Sequence, residues 1–185
     1  MSVVKTTPQD VIEFWYTPAH RKFWFASTPE MDEIIRSRFE TTWEAARSQQ
    51  LDHWQQTPEG CLALTIVLDQ FPLNMYRNTT ESFATEQQAV AITRHAITQG
   101  FDQQLPGDRL AFLYMPLMHS EHLDDQNESV RLFSAAGLQD NARFARHHRD
   151  LIRRFGRFPH RNIILGRTST PEEIEYLESD KAFKG

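Results

Sequence analysis

Titratable side chains are most densely grouped in residues 119–125, which read His-Ser-Glu-His-Leu-Asp-Asp. His119 and His122 stand three residues apart and could share a metal ion with a third ligand. Alternatively, His119 and Glu121 could carry out acid–base chemistry, because a histidine titrates near neutral pH. A third interpretation is structural: Glu121 is buried and paired with an arginine of the basic turn downstream. We favour the structural pair for Glu121.

The metal interpretation would be supported by a recognisable spacing of ligands, and the sequence lacks one. Neither a His-Glu-x-x-His pattern nor a Cys-x-x-Cys pair occurs. Nucleophile signatures are also missing, because Ser120 has no flanking glycine frame and Cys61 lies in an apolar run. We therefore predict no metal site and no cofactor.

The dipeptide Phe-Pro occurs twice after a predicted helix, in residues 70–74 and 157–162. Each copy combines an apolar anchor, a rigid break and an asparagine close behind. Two similar helix-ending turns would explain the pattern, because asparagine bonds its own neighbouring backbone in turns. The functional alternative is that both turns face one cavity. They would then present Asp69, Gln70, Asn74, Arg77, Arg157, His160, Arg161 and Asn162.

The stretch from Arg143 to Arg167 holds eight arginines and a single acid, Asp150. The arginines of its helical part follow one side of the helix, which is typical of a solvated face. Those of the following turn, Arg157 and Arg161, suggest an anionic ligand, because guanidinium groups match carboxylate and phosphate geometry. A nucleic-acid partner is not expected, since the chain carries a net charge of −5 and no recognised motif.

A helix predicted over 58–71 must position the first group of polar residues. Thr57 can cap it and Pro58 suits its first position. The helix is apolar on nearly every face, which indicates burial, and it is too short to span a bilayer. Pro72 should end it by moving Phe71 out of the α region.

Helical periodicity recurs along the chain without strand alternation, which predicts an all-α protein. We predict helices at 8–16, 29–50, 58–71, 82–99, 107–121, 125–136, 139–155 and 171–179. Pro116 should kink or break its helix. If that helix continues, Glu121 and His122 extend its buried stripe. The aromatic groups 14–16 and 23–25 would anchor the core, or form a stacking wall for a planar ligand.

Composition is that of an ordinary soluble domain, with 39% hydrophobic residues in a chain of 185. No linker rich in Gly, Pro or Ser divides the chain, so we expect a single domain over residues 1–185. The only cysteine, Cys61, cannot form an internal disulfide, which fits a reducing compartment. No signal segment or lipidation motif is recognised, so we expect a cytoplasmic protein without a membrane partner. No feature predicts an oligomeric state.

Several of these segments resemble a bacterial domain-of-unknown-function family, numbered 924. The resemblance rests on 68–77 (Leu-Asp-Gln-Phe-Pro-x-Asn-x-Tyr-Arg), 119–121 with Gln126, His148, 155–162 (Phe-Gly-Arg-Phe-Pro-His-Arg-Asn) and 165–173 (Leu-Gly-Arg-x-Ser-Thr-x-Glu-Glu). It covers nearly the whole chain. The family is usually placed among tetratricopeptide-like helical folds. The resemblance therefore implies about seven to eight antiparallel-paired helices around the 58–71 helix.

Our leading functional hypothesis is a small-molecule enzyme or binder that acts on an anionic metabolite. Arginine side chains would hold the anion, namely Arg77, Arg157 and Arg161. Proton-handling groups would be His119, Glu121 and His160. The remaining ligand-binding candidates are Asp69, Gln70, Asn74, His148 and Asn162.

Two other functions stay open at this point. The first is a tetratricopeptide-like scaffold, in which the arginines of 143–153 bind an acidic peptide segment of a partner protein. The second is a metal-dependent hydrolase, which requires His119, His122 and a third ligand such as Glu121, Asp125 or His148 to converge.

Overall fold

The computed structural model describes residues 5–183, and within these residues helices are the only regular secondary structure. The predicted all-α class is confirmed. The α-helices are α1 (Pro8–Tyr16), α2 (Pro18–Arg21), α3 (Pro29–Arg47), α4 (Pro58–Thr65), α5 (Phe71–Met75), α6 (Glu86–Thr98), α7 (Gly107–His119), α8 (Leu123–Ala135), α9 (Gln139–Phe155) and α10 (Pro171–Glu178). A π-helical turn, Ile66–Gln70, joins α4 to α5. The tetratricopeptide-like pairing stays a prediction.

Thr-Pro pairs set the start of four helices. The threonine side chain accepts a hydrogen bond from the backbone N–H three residues later, and the proline takes the first helical position. This cap is present at Thr7, Thr28, Thr57 and Thr170. These local signals explain why the predicted starts of α1, α3, α4 and α10 are correct.

The described residues divide into two compact units. The first contains the residues through Arg77 together with Glu81–Pro116. The second contains Asn78–Thr80 and the residues from Leu117 onwards. None of the described helices has both the length and the apolar character that crossing a membrane requires.

The core of the first unit is built around α4 and the π-helical turn. Every residue from 60 to 72 is buried, as the predicted central helix requires. α4 packs against α1 and α6, and α5 packs against α3. Phe14, Trp15 and Tyr16 are all buried in this unit, whereas Phe25 is 76% exposed. The first aromatic group therefore anchors the core.

Pro72 does not end the central helix, so that prediction was wrong. Phe71 keeps helical backbone angles (φ −61°, ψ −42°), and its N–H bonds to the Ile66 carbonyl five residues back. Pro72 has no N–H to give the Leu68 carbonyl its usual helical partner. The Thr85 hydroxyl donates to that carbonyl instead, at 2.5 Å. The π-helical turn and the hydrogen bond from Thr85 thus allow the helix to continue past Pro72.

The second unit is built from the end of α7 and helices α8, α9 and α10. α8 packs against α9. Gly156 ends α9 in the left-handed conformation (φ 72°), as its position predicts. Leu151, Ile152, Phe158 and Tyr176 form a buried apolar cluster.

The predicted continuation of α7 to residue 121 was wrong. The helix runs through Pro116 but ends at His119. Gln126 Nε2 donates to the carbonyls of Met118 and Ser120, both at 2.7 Å, and so satisfies backbone acceptors at the end of the helix. Glu121 and His122 therefore lie in the connection to α8 rather than on a helical stripe.

Candidate functional site

Glu121 is held by the segment that follows α9. Its carboxylate accepts two hydrogen bonds from Arg167, at 2.7 and 3.0 Å, and a third from the Phe158 N–H at 2.7 Å. Burial raises the pKa of Glu121, but these hydrogen bonds outweigh burial, so the net pKa is lowered. The favoured pairing of Glu121 with an arginine from this region is confirmed, and the partner is Arg167.

Arg167 also connects Glu121 to a buried asparagine. Its Nε donates to Asn162 Oδ1 at 2.9 Å, and Nη2 donates to the Phe158 carbonyl at 3.1 Å. Asn162 is 1% exposed, and its Nδ2 donates to Ser169 Oγ at 3.0 Å. The predicted ligand-binding residue Asn162 thus joins the turn after α9 to the segment before α10.

A second carboxylate–arginine pair closes the same network. Glu173, 1% exposed, accepts from Arg157 Nε and Nη2 at 2.8 and 2.9 Å. It also accepts from the Thr170 N–H at 2.8 Å and from Asn162 Nδ2 at 3.1 Å. Arg157 above all, with Thr170 and Asn162, lowers the pKa of Glu173 to about 2. The guanidinium of Arg157, proposed from the sequence to hold an anionic ligand, is thus occupied by a carboxylate of the chain.

His148 is a buried imidazole of α9, as its place on an apolar face predicts. Its Nδ1 lies 2.8 Å from the Phe144 carbonyl oxygen, which can only accept, so Nδ1 carries the proton. Burial lowers the pKa of His148 to about 3. The ring is therefore neutral at pH 7, with Nε2 as its acceptor atom.

His160 is a second imidazole beside His148. Both rings contact Phe158, at centroid distances of 5.5 Å for His148 and 5.7 Å for His160. Burial, followed by the charge of Arg161, lowers the pKa of His160 to about 4. Its Nδ1 is buried and finds no hydrogen-bond partner among residues 5–183. A buried polar atom of this kind calls for a physical explanation.

Arg161 and His119 lie close to these two imidazoles and contact each other. Arg161 is 6% exposed, its Nη2 donates to the His119 carbonyl at 2.8 Å, and its guanidinium lies 4.8 Å from the Phe158 ring centroid. The charge of His119, when present, lowers the pKa of both His148 and His160. The structure thus brings together five sequence-predicted residues of the second unit. We call this group the imidazole cluster: His119, Glu121, His148, His160 and Arg161.

The other predicted site residues lie in the first unit. Asp69 and Gln70 are both 5% exposed in the π-helical turn, and Gln70 Nε2 donates to Asp69 Oδ2 at 2.5 Å and to Met115 Sδ at 3.4 Å. π-Helical turns are frequent at functional sites, but this one has the structural cause given by Pro72. We therefore assign no ligand role to the turn.

Asn74 and Arg77 converge on a carboxylate that the sequence did not single out. Asp32 accepts from Asn74 Nδ2 at 2.9 Å, from Arg77 Nε and Nη2 at 2.8 and 3.1 Å, and from Ser27 Oγ at 2.7 Å. Partial burial raises the pKa of Asp32, and the hydrogen bonds led by Arg77 reverse the shift, so the pKa is lowered. Arg77 is thus paired within its own unit.

The metal interpretation lacks its ligand set in the described part of the chain. Among residues 5–183, no three His, Cys, Asp or Glu side chains are placed to hold a metal ion together. Asp125, one of the suggested third ligands, instead accepts a hydrogen bond from Ser120 Oγ at 2.6 Å. The convergence that a hydrolytic metal site requires is not found there.

Four residues that organise these contacts are not predicted as site residues from the sequence: Asp32, Arg167, Glu173 and Phe183. Their partners are distant in sequence, as with Arg167 and Glu121, which are 46 positions apart. Glu173 also forms a capping box with Thr170 at the start of α10, so its local role hides its pairing with Arg157. No sequence pattern pointed to Phe183, whose ring lies 4.7 Å from that of His148 and 5.0 Å from that of His160.

The fold defines an all-helical protein in which the imidazole cluster is formed by residues of α7 and α9 and of the segments that follow them. A model of the family described as bacterial protein of unknown function (DUF924) matches residues 11–181, and the chain belongs to that family. It is similar to a solved protein of unknown function from Agrobacterium tumefaciens, with a TM-score of 0.87 and 39% identity. That similarity covers 92% of this chain and 96% of the other. No curated protein matches the chain.

Proposed function

We propose that the protein is a small-molecule binder or enzyme that takes an anionic metabolite at the imidazole cluster of its second unit. The observation that carries the proposal is the buried, unsatisfied Nδ1 of His160 beside the buried guanidinium of Arg161. Leaving a buried polar atom unpaired costs about 1–3 kcal/mol. A ligand that supplies the missing hydrogen bond recovers that cost, and Arg161 favours a ligand with negative charge.

Protonation gives the proposed site a second means of holding an anion. His148 and His160 are neutral at pH 7 because their pKa values are about 3 and 4. A negative charge placed beside an imidazole raises its pKa. Binding of the anion should therefore draw a proton onto the cluster, and affinity should rise as the pH falls from 7 towards 5.

Of the three arginines that the sequence hypothesis assigns to the ligand, this proposal keeps only Arg161. Arg77 and Arg157 each form a bidentate pair with a carboxylate of the chain, so we give them structural roles. Glu121 likewise positions Arg167 and the Phe158 backbone. His119 and His160 keep the proton-handling role. An ideal catalytic pKa lies near the working pH, and a bound anion would move the pKa of His160 upwards.

The test is thermal unfolding against a panel of small anionic metabolites. A ligand at a hundred times its dissociation constant adds about 2.7 kcal/mol, which is roughly 5–10 °C for a chain of this size. His160→Phe keeps an aromatic ring on Phe158 and removes both nitrogens, so it should abolish the shift. His53→Phe, at an exposed histidine of the first unit, should keep it. A shift of equal size in His160→Phe would refute the proposed site.

An acidic peptide partner is the second candidate, favoured by the outer face of α9. Arg143 has a side-chain exposure of 70%, and its guanidinium lies 5.4 Å from the ring centroid of Phe144, itself 50% exposed. Arg146 is exposed on the same helix. Exposed apolar and basic groups side by side suit an acidic segment with an apolar anchor. Capture of such a partner that depends on Arg143 and Arg146 but not on His160 would favour this function.

A further inference from the structure

Phe183 packs against two imidazoles of the proposed site, the buried His148 and the half-buried His160. Its ring centroid lies 4.7 Å from His148 and 5.0 Å from His160, with interplanar angles of 64° and 82°. A third imidazole, His147, lies 6.2 Å away. These edge-to-face arrangements are the ones that aromatic rings prefer. One phenyl ring thus packs against three imidazoles.

The position of Phe183 is fixed by a backbone hydrogen bond together with apolar packing. Its N–H donates to the hydroxyl of Tyr176 at 2.8 Å. Tyr176 belongs to α10 and is buried in the apolar cluster with Leu151 and Ile152. The segment after α10 is also held by the Ala182 N–H, which donates to the Ser179 carbonyl at 3.1 Å, and by packing of Ala182 and Phe183 against that cluster.

A phenyl ring gives these imidazoles a packing partner but no polar group. It offers no acceptor or donor to His160 Nδ1, which stays buried and without a hydrogen bond among residues 5–183. The Arg161 guanidinium contacts the same Phe158 ring as His160 and lies 4.8 Å from its centroid. A molecule with a flat ring and an acidic group could pack against the imidazoles, bond His160 and face the guanidinium.

We infer that Phe183 occupies the place of a ligand's ring, and that the anionic metabolite of this site is a planar aromatic acid. This inference rests on the proposed function and adds the class of ligand and the residue that competes with it. The ligand's ring replaces the phenyl ring against His148 and His160. Its carboxylate bonds His160 Nδ1, which the phenyl ring leaves unsatisfied, and faces the Arg161 guanidinium.

The probe for this inference is benzoate, compared with acetate and with the non-planar cyclohexanecarboxylate. Phe183→Ala removes the competing ring, and the apparent affinity of a site rises when a competing closed form is removed. We expect benzoate to bind Phe183→Ala about tenfold more tightly than wild type, with little change for acetate. Calorimetric titration at pH 6 measures these constants. Phe144→Ala, which removes an exposed ring of α9, should leave them unchanged.

A second variant guards against loss of folding in Phe183→Ala. Tyr176→Phe removes only the hydroxyl that accepts the Phe183 N–H, and it should strengthen benzoate binding in the same direction. Equal benzoate affinity in wild type and both variants would overturn the inference. If His160→Phe still abolishes binding of the anion in that case, the proposed function stands without it. Failure of benzoate and of every other anion to bind wild type or the variants would overturn both.

Discussion

Replacing Glu173 with glutamine tests whether the polar network of the second unit stabilises the fold. The carboxylate is 1% exposed and accepts four hydrogen bonds, two of them from Arg157. Its pKa falls from 4.5 to about 2 on folding, which corresponds to about 3 kcal/mol of stability at neutral pH. Glutamine keeps the shape of the side chain, but it removes the charge and turns one acceptor into a donor facing other donors.

The pH dependence gives this prediction a sign that can be checked. A carboxylate with a lowered folded pKa stabilises the protein above its unfolded pKa of 4.5, and loses that effect as the pH falls through about 2. We expect Glu173→Gln to be less stable than wild type by about 3 kcal/mol at pH 7 and by about 2 kcal/mol at pH 3.5. Groups that titrate identically in both proteins cancel in this difference.

Chemical denaturation of both proteins across this pH range is the assay. Glu172→Gln is the matched control, because Glu172 is exposed and adjacent in sequence, and its effect should stay within about 0.5 kcal/mol. A difference for Glu173→Gln below about 1 kcal/mol at pH 7 would refute the assigned stabilisation. A difference that does not shrink on acidification would refute its electrostatic origin.

Three further predictions test other parts of the molecule. Thr85→Val removes the hydroxyl that donates to the Leu68 carbonyl and accepts from Trp43 Nε1. Chemical denaturation should therefore show a free energy of unfolding lower by about 1–3 kcal/mol. An unchanged free energy would contradict the role of Thr85 in the π-helical turn. In wild type the buried imidazole of His148 takes up its proton only on unfolding, so the free energy of unfolding falls as the pH falls from 6.5 to 3. His148→Phe should make this fall less steep by up to about 1.4 kcal/mol per pH unit. An unchanged slope in pH-dependent denaturation would contradict the low pKa of His148. Cys61 is fully buried, and burial raises the pKa of its thiol to about 11, so iodoacetamide should label it only after unfolding; rapid labelling of the native protein would contradict this burial.

Much of the fold could be predicted because its signals are local. The threonine caps, the prolines at first helical positions and Gly156 at the end of α9 act within a few residues. Between these starts and ends, apolar residues at helical spacing predict which residues are helical. The predictions failed at Pro72 and after His119, where Thr85 and Gln126 supply hydrogen bonds from other parts of the chain.

The candidate site was predictable in its residue types but not in its pairings. Glu121 was expected to meet an arginine of the downstream turn, but the sequence could not single out Arg167, 46 positions away. The sequence suggests a ligand role for Asn74 and Arg77, because nothing local shows that their partner is Asp32. That residue lies more than 40 positions away from both. Charges that look available in a sequence are often compensated by residues that only the fold brings near.

The most direct test of the central claim is nitrogen NMR of the imidazoles in the wild-type protein at pH 7. Spectra are recorded with and without the anion that gives the largest thermal shift. We predict that His148 and His160 are neutral without the anion, and that their signals move towards the protonated form when it binds. The signal of His53 should stay in place. Unchanged signals of His148 and His160 at saturating ligand would contradict a binding site at the imidazole cluster.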